Sequence, residues 1–248
     1  MRLQSKNKTR KPKNVDAESP LSRTEALIGK DALKKLNGAK IALFGLGGVG
    51  SYALEALARS GIKHFVLVDN DRISPSNINR QLLALHSTVG QFKTEAAKNR
   101  ITDIAPDSHL TCLNLFYSAE NAAKTETHLA DCSYIVDAID TVSSKLLLIE
   151  AAHRLHIPII SSMGTGNKLD PSCFEVCDVF KTKVCPLARV MRRELKKRSI
   201  ASLKTVFSTE KPCISCKPPA SIAFVPASAG LLIASEVIKD MTERLCRS

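Results

Sequence analysis

Gly45-x-Gly47-Gly48-x-Gly50 is followed 19 residues later by Asp69, then by Asp71, Asn77, Asn79, Arg80 and Gln81, with Lys93 and Asp140 further on. The glycine pattern stands between the apolar "IALF" and the helix-like "SYALEALARSG". In that context Gly45 permits a tight turn, Gly47 and Gly48 let the backbone approach a nucleotide, and Gly50 lets helix and strand pack closely. Asp69 is suitably spaced to accept hydrogen bonds from ribose hydroxyls. These features alone do not separate ATP from NAD or FAD. The polar run after Asp69 does, because a nicotinamide enzyme needs little there beyond one ribose-binding carboxylate. Breaking the bond beyond the α-phosphate of ATP gathers negative charge that cations and a metal must neutralise. Arg80 and Lys93 are the candidate cations, and Asn77 and Asn79 are neutral donors for phosphate or ribose. Asp140, at the carboxyl end of "SYIVDAID", is a candidate Mg²⁺ ligand.

The elements that must position these groups alternate along the chain, with no internal repeat. Strands are predicted at 40 to 45, 64 to 69, 109 to 115, 133 to 138 and 157 to 162. Helices are predicted between them at 49 to 60, 91 to 104, 119 to 129 and 142 to 155. That order predicts an α/β, Rossmann-like, doubly wound and mainly parallel sheet. From about 163 the alternation breaks into a Gly-rich loop, a basic helix near 186 to 199, strands near 202 to 209 and 221 to 226, and a closing helix from about 228. The C-terminal half therefore elaborates one domain spanning 21 to 248, preceded by a basic, disordered arm over 1 to 20.

At 248 residues and 44% hydrophobic the chain can bury a full core. No apolar run reaches the roughly 18 residues of a membrane span, and the N-terminus lacks a signal-like apolar stretch, so a cytoplasmic protein is expected. Eight irregularly spaced cysteines fit reduced thiols better than a disulfide framework. The net charge of +12 is concentrated in residues 1 to 20, which carry +4, and residues 181 to 204, which carry +8. A solvated tail and a soluble helix face would explain this, and so would a polyanionic partner. On the helix near 186 to 199, Leu187, Val190, Met191 and Leu195 form a core stripe. Arg189, Arg192, Arg193, Lys196 and Lys197 are left for another face.

The segments "GLGGVGSYALEALARSGI", "LVDNDRISPSNINRQ", "HSTVGQFKTEAAKNRI" and "VDAIDTVSSK" resemble the superfamily of ubiquitin-activating-type adenylyltransferases, which includes the activators of molybdopterin synthase and of the thiamine sulfur carrier. The likeness runs from about 22 to 245. It implies that Gly48 and Asp69 contact the nucleotide, Asn77 and Arg80 the ribose and phosphates, Lys93 the phosphates and Asp140 the metal. Arg23, in "SRTEALIG", matches a position from which a neighbouring subunit contributes an arginine, which implies a homodimer.

Within that superfamily, "RTEALIG", "NINRQ", "VDAIDTVSSK", "CPLARVMRRELKKR" and "VFSTE" look most like the tRNA threonylcarbamoyladenosine dehydratases. The resemblance implies ATP and Mg²⁺ as cofactors and, as partner, tRNA carrying threonylcarbamoyladenosine, whose threonyl carboxylate is adenylated and cyclised. A basic helix suits that substrate, although acidic carrier proteins would also welcome it. The rival reading is an adenylyltransferase acting on the C-terminal glycine of a ubiquitin-like sulfur carrier, with a sulfur-transfer partner.

Carrier activators commonly hold structural zinc in two C-x-x-C pairs. This chain has one, Cys213-x-x-Cys216, and a misfit, Cys173-x-x-x-Cys177, in an apparent strand. Thiols without a metal are the expectation. Cys185, Cys213 and Cys216 are candidate nucleophiles, but a cyclisation whose attacking nitrogen belongs to the substrate needs no thioester. His86 reads as a satisfied loop residue, and His153 and His156, at a helix end, carry no assigned role.

Overall fold

A computed structural model describes residues 19–212, 214 and 216–242. The expected basic arm therefore lies outside the described residues except for Ser19 and Pro20, and Cys213 lies outside them altogether. Among the described residues, seven strands form one sheet in the order β3-β2-β1-β4-β5-β7-β6. The strands are β1 (Lys40–Phe44), β2 (His64–Val68), β3 (His109–Leu113), β4 (Tyr134–Asp137), β5 (Ile159–Ser162), β6 (Phe174–Asp178) and β7 (Lys204–Ser208). All neighbours are parallel except β6 and β7.

Alternation along the strands feeds two cores. Ile41, Leu43, Phe65, Leu67 and Val136 face one side, where α2 (Lys30–Gly38), α3 (Gly50–Arg59), α4 (Lys93–Ile104) and α8 (Phe224–Met241) cover the sheet. Ala42, Phe44, Val66, Val68 and Ile135 face the other, covered by α5 (Ala122–Glu126), α6 (Val142–Arg154) and α7 (Pro186–Lys197). No helix among the described residues is long and apolar enough to cross a membrane.

The five strands expected before residue 163 and the one near 202 to 209 form, with ends trimmed by one or two residues. The strand expected at 221 to 226 does not. Residues 221 to 223 are loop, and α8 begins at Phe224 rather than near 228. Val225, Ala229, Ile233 and Val237 recur at helical spacing and are all buried, so this segment packs as a helix rather than a strand. Pro226 is no obstacle to the helix, because the N–H groups of the first turn have no intrahelical acceptor. The helix expected at 119 to 129 contracts to Ala122–Glu126. Two helices precede β1 that the alternation did not indicate, α1 (Ser22–Ile28) and α2, the latter burying Ala32, Leu33 and Leu36.

Helix α8 crosses α3 at Gly230, where an added Cβ would lie 2.3 Å from the Val49 carbonyl oxygen and 3.0 Å from the Ala53 nitrogen. Those contacts are backbone and cannot rotate aside. Gly230→Ala is therefore expected to lower stability by about 1–3 kcal/mol, read as a reduced urea midpoint at unchanged slope.

Candidate active site

The strand order reverses at β1, whose sheet neighbours β2 and β4 lie on its two sides, and a crevice of about 330 Å³ opens at the carboxyl ends of these strands. Its walls include Gly45, Gly47 and Gly48 after β1, Asp69 and Asp71 after β2, and Asn77, Arg80 and Gln81 from the following turn. Lys93, at the start of α4, and Asp140, after β4, also line it.

The glycine turn is held tightly to the β4 side. Gly45 has φ 88°, a left-handed value that favours glycine, and a Cβ there would lie 2.6 Å from the Ala138 carbonyl oxygen. Gly50 lies outside the lining, and a Cβ there would strike the Gly45 carbonyl oxygen. The Asp69 carboxylate braces the same turn, accepting from the Leu46 N–H at 2.6 Å and the Asp71 N–H at 2.8 Å. Burial pushes the Asp69 carboxyl above its ordinary range, against the pull of Lys93, whose Nζ lies 3.9 Å away. Lys93 itself is buried and paired with Asp71 at 2.6 Å. Its ammonium thus sits at the crevice wall with an exposed counter-charge, Asp71, that an incoming anion can replace.

The polar run forms a tight turn over Pro75–Asn77, in which Asn77 Oδ1 accepts from the Ser74 N–H at 3.2 Å. Arg80 donates to the Ser76 carbonyl oxygen and to Asn79 Oδ1, both at 2.9 Å, which fixes its guanidinium at the rim. Gln81 Oε1 is buried with no hydrogen-bond partner among the described residues, an acceptor left open beside the crevice. Asn79 is not in the lining. Its Nδ2 donates to the Ser221 carbonyl oxygen at 3.0 Å, tying the turn to the loop before α8.

Asp140 is exposed at the crevice and accepts from Thr141 Oγ1 at 3.3 Å. No group of three or more His, Cys, Asp or Glu among the described residues could hold a metal. A single carboxylate beside a phosphate site nonetheless suits Mg²⁺, which commonly binds through one or two carboxylates, phosphate oxygens and waters rather than an all-protein cage.

Beneath Asp140 lies a pair that sequence reasoning missed. Lys145 and Asp137 are both fully buried, with Nζ 3.0 Å from Oδ2. Asp137 accepts from the Ile139 N–H at 3.1 Å, and Lys145 donates to the Ile139 carbonyl oxygen at 2.9 Å. Ser161 Oγ completes the carboxylate's partners at 2.6 Å. Both peptide groups flanking Ile139 are thereby fixed, one residue before the candidate metal ligand. Both residues stand within "VDAIDTVSSK", but only the three-dimensional packing reveals their burial.

Other expected residues lie elsewhere. Arg23, on α1, lines a groove with Leu27, Leu36 and Ile238 and does not reach the crevice of its own chain. On α7 the stripe Met191 and Leu195 is buried, joined by Ala188, with Leu187 and Val190 half-buried. Arg192 is half-buried and donates to the Thr182 carbonyl oxygen at 3.0 Å, so its charge turns inward along the helix. Arg193 and Lys197 pair with Glu194, whereas Arg189 and Lys196 are exposed. Cys185 is buried, and Cys216 is exposed with its Sγ 3.2 Å from Asn167 Oδ1. Cys173 opens no metal cage but contacts Asp170. His86 and His153 are exposed at the surface.

Removing one member of the buried pair strands the other without solvent. Lys145→Met is expected to cost about 3–5 kcal/mol of stability. Denaturant unfolding of the purified variant measures it, and a change within the scatter of surface substitutions would show that the pair is dispensable.

A protein from Bacillus subtilis (strain 168) named tRNA threonylcarbamoyladenosine dehydratase is 40% identical over 239 residues, covering 89% of this chain and 93% of that protein. The structure of Escherichia coli tRNA N6-threonylcarbamoyladenosine dehydratase in complex with ATP superposes with a TM-score of 0.85 at 34% identity, covering 92% of this chain and 96% of that one. A protein from Vanderwaltozyma polyspora named adenylyltransferase and sulfurtransferase is 33% identical over 144 residues, covering 58% of this chain and 32% of its own. Residues 21–246, the glycine turn, the polar run and both halves of the sheet included, match the ThiF family, and the chain belongs to it.

Proposed function

We propose that the chain is an ATP-dependent tRNA threonylcarbamoyladenosine dehydratase, with residues 21 to 248 acting as one adenylation domain. The observation that carries this reading is the crevice itself, where a glycine turn, two cations and an exposed carboxylate meet at the switch point of the sheet. The likeness to dehydratases along nearly the whole chain supports it, whereas the likeness to a carrier-activating protein spans little more than half.

The threonyl carboxylate oxygen attacks the α-phosphorus of ATP, the bond to the β-phosphate oxygen breaks, and pyrophosphate leaves. Arg80 and Lys93 offset the charge that gathers on the phosphates. Asn77 and Asp69 lie where ribose and phosphate oxygens reach them. Asp140 would hold Mg²⁺, which when bound would further neutralise the leaving pyrophosphate. The carbamoyl nitrogen then attacks the acyl carbon, loses its proton and expels AMP, which carries away the former carboxylate oxygen. One water is lost overall from the nucleoside. Nucleophile and acyl group belong to one substrate, so the protein's task is to bind, orient and stabilise charge.

A homodimer completes the reading, with Arg23 of one subunit reaching its neighbour's crevice. Its position away from its own site fits that role. Arg189, Arg193, Lys196 and Lys197 supply a cationic face for tRNA phosphates, with Arg192 contributing less because of its inward bond. The cytoplasm is the proposed location of this activity.

Incubation with ATP, Mg²⁺ and tRNA bearing the linear modification is expected to yield a nucleoside lighter by one water, read by mass spectrometry. Product formed only with a carrier ending in Gly-Gly would replace this reading with carrier activation. Asp140→Asn is expected to lower turnover about a hundredfold or more, with little change in thermal unfolding because the side chain is exposed. Mixing it with Arg23→Ala under subunit exchange should restore activity to about a quarter of wild type, since mixed dimers hold one intact site. No recovery would place Arg23 outside the neighbour's chemistry.

A further inference from the structure

A second cleft, about 630 Å³, lies between α6 and α7 and adjoins the nucleotide crevice. Phe116 and Ser144 line both. Phe116 is 48% exposed, an aromatic face left open at the junction. Val142 and Leu147 form the α6 wall and Val190 the α7 wall. At the mouth, Glu194 gathers Arg193 at 3.1 Å, Lys197 at 3.0 Å and Arg198 at 3.0 Å, and Arg198 also pairs with Glu150 at 2.9 Å. Lys197 and Arg198 hold the Glu194 carboxyl down to about 2, so the group stays ionised and keeps the cations fanned around it. The lining itself balances Arg193 and Arg198 against Glu150 and Glu194, and Lys197, beside Glu194 but outside the lining, adds a third cation.

We propose that this cleft seats the purine of the RNA nucleoside whose carboxylate reacts next door, stacked on Phe116, with its flanking phosphates at Arg193 and Arg198. The proposal rests on the dehydratase reading and adds the place of the substrate. A carboxylate tethered to the purine N6 by only about 5 Å of chain must reach the α-phosphate. The base therefore has to sit beside the crevice, and this cleft, which shares Phe116 and Ser144 with it, adjoins it. Single-stranded nucleosides are held by aromatic stacking with cations along the backbone, and the cleft offers both.

The chain contains no tryptophan, so Phe116→Trp installs a lone fluorophore in the proposed stack. With wild-type dehydration established, an anticodon stem-loop carrying the modification should quench the Phe116→Trp emission in the presence of ATP. Phe116→Leu, which removes the stack, should raise the KM for tRNA about tenfold or more. Val190→Trp fills the cleft from the far wall and should raise the same KM while leaving that for ATP within about twofold. Thermal melts of each variant establish that it is folded.

Unchanged tRNA KM in both Phe116→Leu and Val190→Trp would overturn the proposal. So would quenching of Phe116→Trp by ATP alone with no further effect of RNA, or quenching by a Gly-Gly carrier tail instead of RNA. If wild-type protein fails to dehydrate the tRNA, the catalytic reading falls, and the stem-loop titration still decides whether a nucleoside enters the cleft.

Discussion

A carboxylate and an ammonium with no contact to solvent, Asp137 and Lys145, are the constraint on which the site's geometry depends. Such a pair does not gain stability cheaply, because desolvating two charges opposes their attraction. It persists here with nearly every remaining bond made, to Ser161 and to both sides of the peptide at Ile139. The loop it fixes carries Ala138 on one side, hard against the glycine turn, and Asp140 on the other. One buried interaction thus sets the spacing between the glycine-turn backbone and the candidate metal ligand.

The acidic residues divide their work by burial. Asp69 and Asp137 lie inside and satisfy backbone N–H groups of the two loops that face each other across the crevice. Asp71 and Asp140 are exposed and keep oxygens available to ligands. The lysines divide similarly. Lys145 is locked within the scaffold, whereas Lys93 shares its charge with an exposed partner at the crevice wall. Rigidity is thereby placed behind the site and adaptable charge in front of it, the arrangement that electrostatic preorganisation requires.

Local pattern made much of this legible. The strand, glycine turn and helix around residues 40 to 59 follow from short-range spacing, and the structure brings Asp69, Asn77, Arg80, Lys93 and Asp140 to the crevice they open. What was not legible depends on partners far along the chain. Asn79 reads as a ligand donor in its run, but its amide bonds to Ser221 across the molecule. Residues 221 to 226 have strand-like composition, but Val225 joins Ala229, Ile233 and Val237 in the buried face of α8, a stripe completed only further along the chain. Lys145 reads as an ordinary helix lysine until α6 is laid on the sheet. Arg192 has the same spacing as its basic neighbours, and the loop at Thr182 alone distinguishes it.

The central strand also bears on how the protein reaches its native state. β1 pairs on one side with nearby β2 and on the other with β4, roughly ninety residues later in the chain. Closing so long a loop costs entropy before any contact rewards it, so this pairing belongs to the slow, cooperative part of folding. The crevice has no second wall until β4 docks. A nascent or half-folded chain consequently has no competent nucleotide site, and ligand binding reports on complete assembly of the sheet rather than on its first half.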